Sequence, residues 1–247
     1  MFGRIARRYD LMNTLMTFGL DRGWRHAAVR AATPPLDGLA LDVGTGTARL
    51  ALQLAEAMPT GYLVGADFSQ PMLRAGQKWL RHRQTGNQVG LIAADAASLP
   101  FRTDTFDCVV SAFTVRNLVD VELGFREQRR VVRPGGRVVC LELTNPRTPL
   151  FGGLFRAYFR RVVPLVGGLV AGDREAYTYL PESVAHFLEP RALAAAMESA
   201  GLANVTYRSL GLGTVSLHVG TKPRSVQPAA MIVSTATVAA MSPYPAP

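Results

Sequence analysis

The feature that most restricts how this chain can fold is a regular alternation, across its middle, of short apolar runs with segments of helical period. Leu39–Val43, Tyr62–Ala66, Val89–Ala93, Phe106–Ala112 and Arg137–Leu143 have the length and β-branched content of buried strands. Apolar positions between them recur at helical spacing over about 47–58, 69–83 and 121–132. Alternating β and α segments fold as a largely parallel sheet with helices on both faces, because each parallel crossover needs room for a helix. Ser69 reads as an N-cap with Pro71 in the first turn, and Arg133-Pro-Gly-Gly136 as a helix stop followed by a tight turn. A further helix over 190–200 stops at Gly201. Two β-rich stretches, 204–210 and 214–220, flank Gly211-Leu-Gly213 and predict a closing antiparallel hairpin. The expected architecture is α/β: a Rossmann-like, seven-stranded, mostly parallel sheet.

Three attachments surround this unit. Residues 1–33 carry Tyr9, Met12, Leu15 and Met16, then Trp24, Ala28 and Val29, at helical spacing, with Gly19 and Gly23 marking a break; they predict an N-terminal helical cap. Thr33-Pro-Pro-Leu-Asp-Gly38 supplies the turn into a domain spanning 34–222. From about 145 to 190 the pattern changes to aromatics, arginines and glycines, including Phe151, Phe155, Tyr158, Phe159, Tyr177 and Tyr179, and predicts a helical insertion covering the substrate. Residues 223–247, rich in Pro, Ala, Ser and Thr without a period, predict a disordered tail.

With 48% apolar and 18% charged residues among 247, the composition is that of a globular protein. The net charge of +9 is almost all arginine, Lys78 and Lys222 being the lysines. It suits an anionic surface or partner, and an arginine-rich genome explains it equally well. The arginines are scattered rather than gathered in runs with aromatics, so no nucleic-acid partner is expected. Cys108 and Cys140 sit inside apolar runs and read as free core thiols in a reducing compartment. No signal peptide is visible, and the longest uncharged apolar stretch, Val162 to Gly172, is too short to span a bilayer. A cytoplasmic protein is expected, at most in peripheral contact with the inner face of the cell membrane. His26 and His186 lack metal-ligand spacing, and no metal is expected.

The candidate site begins at Asp42-Val-Gly44-Thr-Gly46-Thr47, after the first strand, where glycines allow a sharp turn beside a ligand. By itself this motif is weak. A dinucleotide fingerprint wants a third glycine where this chain has Arg49, which argues against NAD and FAD. Asp67 follows the second strand, where a carboxylate accepts from ribose hydroxyls, and its alternative role is capping beside Ser69. Asp95 follows the third strand at the same sheet edge, or is a solvated loop carboxylate. Acids at successive strand ends suit a cofactor with a cationic amino acid, a ribose diol and an adenine amino group. S-adenosylmethionine has all three.

The chain resembles the ubiquinone/menaquinone-biosynthesis C-methyltransferases, a branch of the class I S-adenosylmethionine-dependent methyltransferases. The resemblance covers about 2–222 and rests on Tyr9-Asp-Leu-Met-Asn13, Gly19-Leu-Asp-Arg-Gly-Trp-Arg25, Gly65-Ala-Asp-Phe-Ser-Gln-Pro-Met72, Phe113-Thr-Val-Arg-Asn117, Val131-Val-Arg-Pro-Gly-Gly136 and Tyr177-Thr-Tyr-Leu180. It implies that Thr47 contacts the methionine end, with Asp42, Gly44, Gly46 and Ala112 also in the cofactor site. Asp67 would hold the ribose, Asp95 and Ala96 the adenine amino edge, and Phe68 and Met72 the adenine faces. The family's first motif usually runs Gly-Gly-Thr-Gly-Asp where this chain has Thr45-Gly-Thr-Ala-Arg49. The implied acceptor is a prenylated quinol, demethylmenaquinol or the related benzoquinol. Methyl transfer to a ring carbon needs alignment and proton removal. Arg116 and Asn117, after the fourth strand, are the expected acceptor-side pair: a cation stabilises a quinol phenolate, and a water relayed through the pair takes the proton. The alternative for Arg116 is a surface salt bridge with Asp120. Tyr9 and His218 are weaker candidates. Phe151, Leu154, Phe155, Tyr158, Phe159 and Val162 beside Arg156, Arg160 and Arg161 make an apolar face with a basic rim, suited to an anionic bilayer or to ordinary lid packing. A homodimer is compatible with the sequence. Another small lipophilic acceptor, or a non-catalytic cofactor-binding role, remains open at this stage.

Overall fold

The computed structural model describes residues 9–83, 88–146, 149–165, 168, 183–185 and 187–224. Two helices, α1 (Tyr9–Met16) and α2 (Leu20–Ala32), lead into β1 (Leu39–Val43). Next come α3 (Arg49–Ala57), β2 (Tyr62–Asp67), α4 (Gln70–Leu80) and β3 (Val89–Ala93). They are followed by β4 (Phe106–Ala112), α5 (Val121–Val131) and β5 (Val132–Leu143). The insertion begins with α6 (Pro149–Ala157), which runs into a π-helical turn over Tyr158–Val162. The chain closes with α7 (Pro190–Ser199), β6 (Ala203–Leu210) and β7 (Val215–Thr221).

The strands form one seven-stranded sheet in the order β3-β2-β1-β4-β5-β7-β6. The first five pair in parallel, and β7 lies antiparallel between β5 and β6. The central strands read as continuous apolar runs because both faces are covered. Ala40, Val110, Val139 and Leu141 face a core containing Met12 and Met16 of α1, Val29 of α2, Leu50 and Leu54 of α3, and Phe159 and Val163 of the insertion. Their neighbours Leu41, Val109, Val138 and Cys140 face the other core, with Phe125 and Val131 of α5 and Leu193 and Met197 of α7. Cys108 and Cys140 are buried free thiols, as expected.

Two local expectations are corrected. Arg133-Pro-Gly-Gly136 is not a turn ahead of the strand but a bulge inside it: Phe106 pairs with Val132, whereas Cys108 pairs with Arg137. Gly135, at φ +84°, allows the excursion. The Gly135 N–H donates to the Lys222 carbonyl (2.8 Å), the Lys222 N–H donates to that of Gly136 (3.0 Å), and the Lys222 ammonium caps the Val132 carbonyl (3.0 Å). Ser69 occupies the N-cap position of α4 but makes no side-chain capping bond. The Ser69 backbone N–H donates to Asp67, two residues earlier (2.7 Å). Tyr177, Tyr179 and the expected tail beyond Arg224 lie outside the described residues, as do residues 1–8 and His186.

Candidate active site

Strand order reverses between β1 and β4, so the loops after these two strands diverge and leave a crevice at the carboxyl edge of the sheet. A cavity of about 570 Å³ occupies it, a size that suits a nucleoside-bearing ligand. Asp42, Gly44, Gly46, Thr47, Asp67, Phe68, Met72, Asp95, Ala96 and Ala112 all line it. Asn117 lines it as well, whereas Arg116 does not.

The floor is the loop after β1. Gly44 has φ +71°, and a Cβ there would lie 2.2 Å from the Thr114 side chain, so both conformation and space demand glycine. The Thr114 hydroxyl donates to the Gly44 carbonyl (3.1 Å), which ties the β4 loop to the β1 loop. Asp67 is held at both oxygens, accepting from the N–H of Gly46 (2.8 Å) and of Ser69 (2.7 Å). Burial raises its pKa and those two bonds oppose the rise. Asp42, only 1% exposed, accepts from the Thr45 hydroxyl (2.8 Å). Burial pushes its pKa up to about 7. Asp95 is more exposed and accepts from the Ala97 N–H (2.8 Å), leaving its carboxylate fixed on the rim.

Four participants escaped the sequence reading. Arg25 of α2 lines the cavity, paired with Asp21 one helical turn away and 5.7 Å above the Phe113 ring. The Asp21/Arg25 spacing on a helical pattern was the available signal. Asp10 of α1 accepts from the Thr47 hydroxyl (2.6 Å) and pairs with Arg49 (2.8 Å), whose guanidinium stands 4.2 Å from the Trp79 ring centroid. The unusual Arg49 therefore binds the N-terminal helix to the cofactor loop. Thr114 is the third, and Glu142 the fourth.

Glu142, at the end of β5, decides the disposition of Arg116. The Arg116 guanidinium makes a buried ion pair with Glu142 (2.6 Å), and its backbone N–H donates to the other carboxylate oxygen (3.2 Å). It also donates to the carbonyl of Phe113, a residue at φ +59°. Neither the expected cavity-facing cation nor the surface pair with Asp120 is formed: Asp120 instead caps α5 through the Leu123 N–H (2.9 Å). What lines the cavity from this turn is Phe113, Thr114, Asn117 and Leu118. No residue of the insertion lines it among the described residues. Nor do those residues include a helix long and apolar enough to cross a membrane, or a cluster of three or more His, Cys, Asp or Glu able to hold a metal.

Residues 1–222 match the model of the ubiE/COQ5 methyltransferase family. The chain belongs to this family. It is 48% identical over 222 residues to a demethylmenaquinone methyltransferase from Roseiflexus castenholzii, covering 90% of this chain and 92% of the relative. It is 40% identical to the ubiquinone/menaquinone biosynthesis C-methyltransferase UbiE of Geobacter sulfurreducens, over 90% and 87% of the two chains. Among solved structures, an S-adenosylmethionine-dependent methyltransferase from Thermotoga maritima superposes with a TM-score of 0.64 over 90% of this chain and 97% of that one; at 19% identity it establishes the fold. Family membership makes the chain an S-adenosylmethionine-dependent methyltransferase, and the cavity fits that cofactor. The cavity walls carry Arg25, Asp42, Asp67 and Asp95, groups of the chemistry that an amino acid, a ribose diol and an adenine amino group would each need.

Proposed function

We propose that this methyltransferase acts on a ring carbon of a prenylated quinol, converting demethylmenaquinol to menaquinol. The reading is carried by one observation: the three strand-end acids and the Phe113–Asn117 turn open into the same cavity. Its relative at 48% identity acts on demethylmenaquinone by name, which favours the naphthoquinol over the benzoquinol ring. The bound cofactor supplies an electrophilic methyl group on a sulfonium. The chain's own part is positioning: Asp42 and Arg25 hold the amino acid end, Asp67 the ribose, and Asp95, Ala96, Phe68 and Met72 the base. Asn117 offers an amide to the acceptor hydroxyl and to a water that removes the ring proton. Arg116 acts from behind, holding the turn through Glu142. The ring carbon would exchange its hydrogen for that methyl group, leaving the thioether form of the cofactor, and the proton would pass by way of the water at Asn117 to solvent.

A lipophilic acceptor brings the enzyme to the inner face of the cell membrane as a peripheral, cytoplasmic protein. Incubation with methyl-labelled S-adenosylmethionine and demethylmenaquinol is expected to label the quinol. No transfer by protein shown to bind the cofactor would overturn the acceptor assignment, and preferential labelling of a demethylated benzoquinol would move it to the other ring.

A further inference from the structure

Two helix faces that the methyl-transfer site does not use meet on one side of the molecule. On α1, Met12 and Met16 turn into the core, while Leu11 and Leu15 face solvent. On the insertion, Phe159 and Val163 are buried, while Leu154, Val162 and Leu165 are exposed. The faces adjoin where the Tyr158 hydroxyl donates to the Met16 carbonyl (3.2 Å) and its ring lies 6.1 Å from that of Phe18.

Phe18 is the least expected residue here. Helix α1 ends with the Gly19 N–H donating to the Thr14 carbonyl (2.8 Å) and the Phe18 N–H to that of Leu15 (3.3 Å), a Schellman pair that puts Phe18 at the left-handed position where glycine is usual. Its φ is +52°, and it is 81% exposed. The left-handed backbone costs stability, and a ring left mostly in solvent returns little of it through burial.

The charges around these faces have one sign. Arg156, Arg160 and Arg161 are exposed beside the insertion's apolar residues, and Arg22 follows Phe18. Residues 152–165 contain no acid, and the one acid within 11–22, Asp21, is buried against Arg25. Among the described residues of α1 and the first turn of α2, Asp10 and Asp21 are each paired with an arginine, so apolar side chains rimmed by guanidinium groups match the acyl boundary and phosphates of an anionic bilayer. The surface also adjoins the cavity, since Asp10 of α1 holds Thr47 on its wall.

We propose that the outer faces of α1 and the insertion helix, centred on Phe18, form the surface by which this enzyme docks on anionic lipid bilayers. This deepens the reading of a prenylated acceptor, and its test does not need that acceptor. The full chain is sedimented with vesicles of phosphatidylcholine alone or with one third phosphatidylglycerol. Binding at least about tenfold tighter to the anionic vesicles is expected. Phe18→Gly, which relieves the left-handed backbone, is expected to lower that binding severalfold while its thermal unfolding stays at or above the wild-type temperature. Arg160→Glu with Arg161→Glu is expected to abolish it, with cofactor affinity unchanged in both variants. Wild-type binding to neither vesicle, or equal binding by Phe18→Gly, overturns the proposal. A dimer that Phe18→Gly converts to monomer, read by light scattering, also overturns it and assigns the face to a second copy. If vesicle binding follows expectation but the quinol is not methylated, the acceptor reading fails and the docking surface stands.

Discussion

Asp42 lies on the cavity wall almost out of contact with water, and that burial is what lifts its pKa to about 7; the Thr45 hydrogen bond and Arg25 pull it down, while Asp67 pushes it further up. Near neutral pH the empty site therefore holds a carboxyl that is about half protonated. The ammonium group proposed to lie beside it would favour the ionised form, so cofactor binding is expected to expel the remaining proton. The sign follows: affinity is greatest above pH 7 and falls as pH drops through the raised pKa. Between pH 7.5 and 5.5 the dissociation constant for S-adenosylmethionine should rise about tenfold or more, with proton release on binding at pH 7, both measurable by calorimetry in buffers of different ionisation enthalpy. Asp42→Asn should bind weakly with little pH dependence. A wild-type dissociation constant flat across this range would mean that Asp42 does not meet the cationic end.

The turn after β4 is tied to the loop after β1 through Thr114, and it is kept in shape from β5. Glu142 accepts from the Arg116 side chain, the Arg116 N–H and the Leu143 N–H, all out of water. Arg116→Ala strands that carboxylate and should cost roughly 3 kcal/mol or more of stability. Adding Glu142→Gln should recover part of the loss, a coupling that urea unfolding of the two single variants and the double variant would measure. Additive losses would refute the pairing. Sequence reading placed this turn correctly, because Phe106–Ala112 is a continuous apolar run followed by polar residues. It could not see Glu142, which sits 26 residues away inside another apolar run. The strand ranges themselves were legible wherever burial on both faces forces uninterrupted apolar residues. They failed at Arg133-Pro-Gly-Gly136, where turn chemistry serves a bulge whose partner, Lys222, is adjacent in space but follows the last strand of the chain. Arg49, a departure from the family's motif, was visible but uninterpretable until Asp10 and Trp79 were beside it.

At the scale of the molecule, the cavity has no wall of its own: α2 contributes Arg25, β1 Asp42, β2 Asp67, the loop after β3 Asp95 and the turn after β4 Asn117. Positions so far apart in the chain meet only when the sheet is complete, so the cofactor binds the folded state and has nothing comparable to bind in the unfolded one. Mass action then gives about 2.7 kcal/mol of added stability at a hundredfold excess over the dissociation constant. For a domain of this size that corresponds to a rise in Tm of about 5–10 °C. The same walls predict how the rise divides among ligand parts. On the proposed arrangement adenosine would engage Asp67 and Asp95 but not Asp42 or Arg25, so at the same concentration it should raise Tm much less than S-adenosylmethionine. Asp67→Asn, which keeps an acceptor for one of the two N–H groups but loses the charge facing the ribose, should reduce the shift from both ligands. Equal shifts from adenosine and the whole cofactor, read by thermal unfolding at pH 7.5, would show that the amino acid end is held by neither Arg25 nor Asp42.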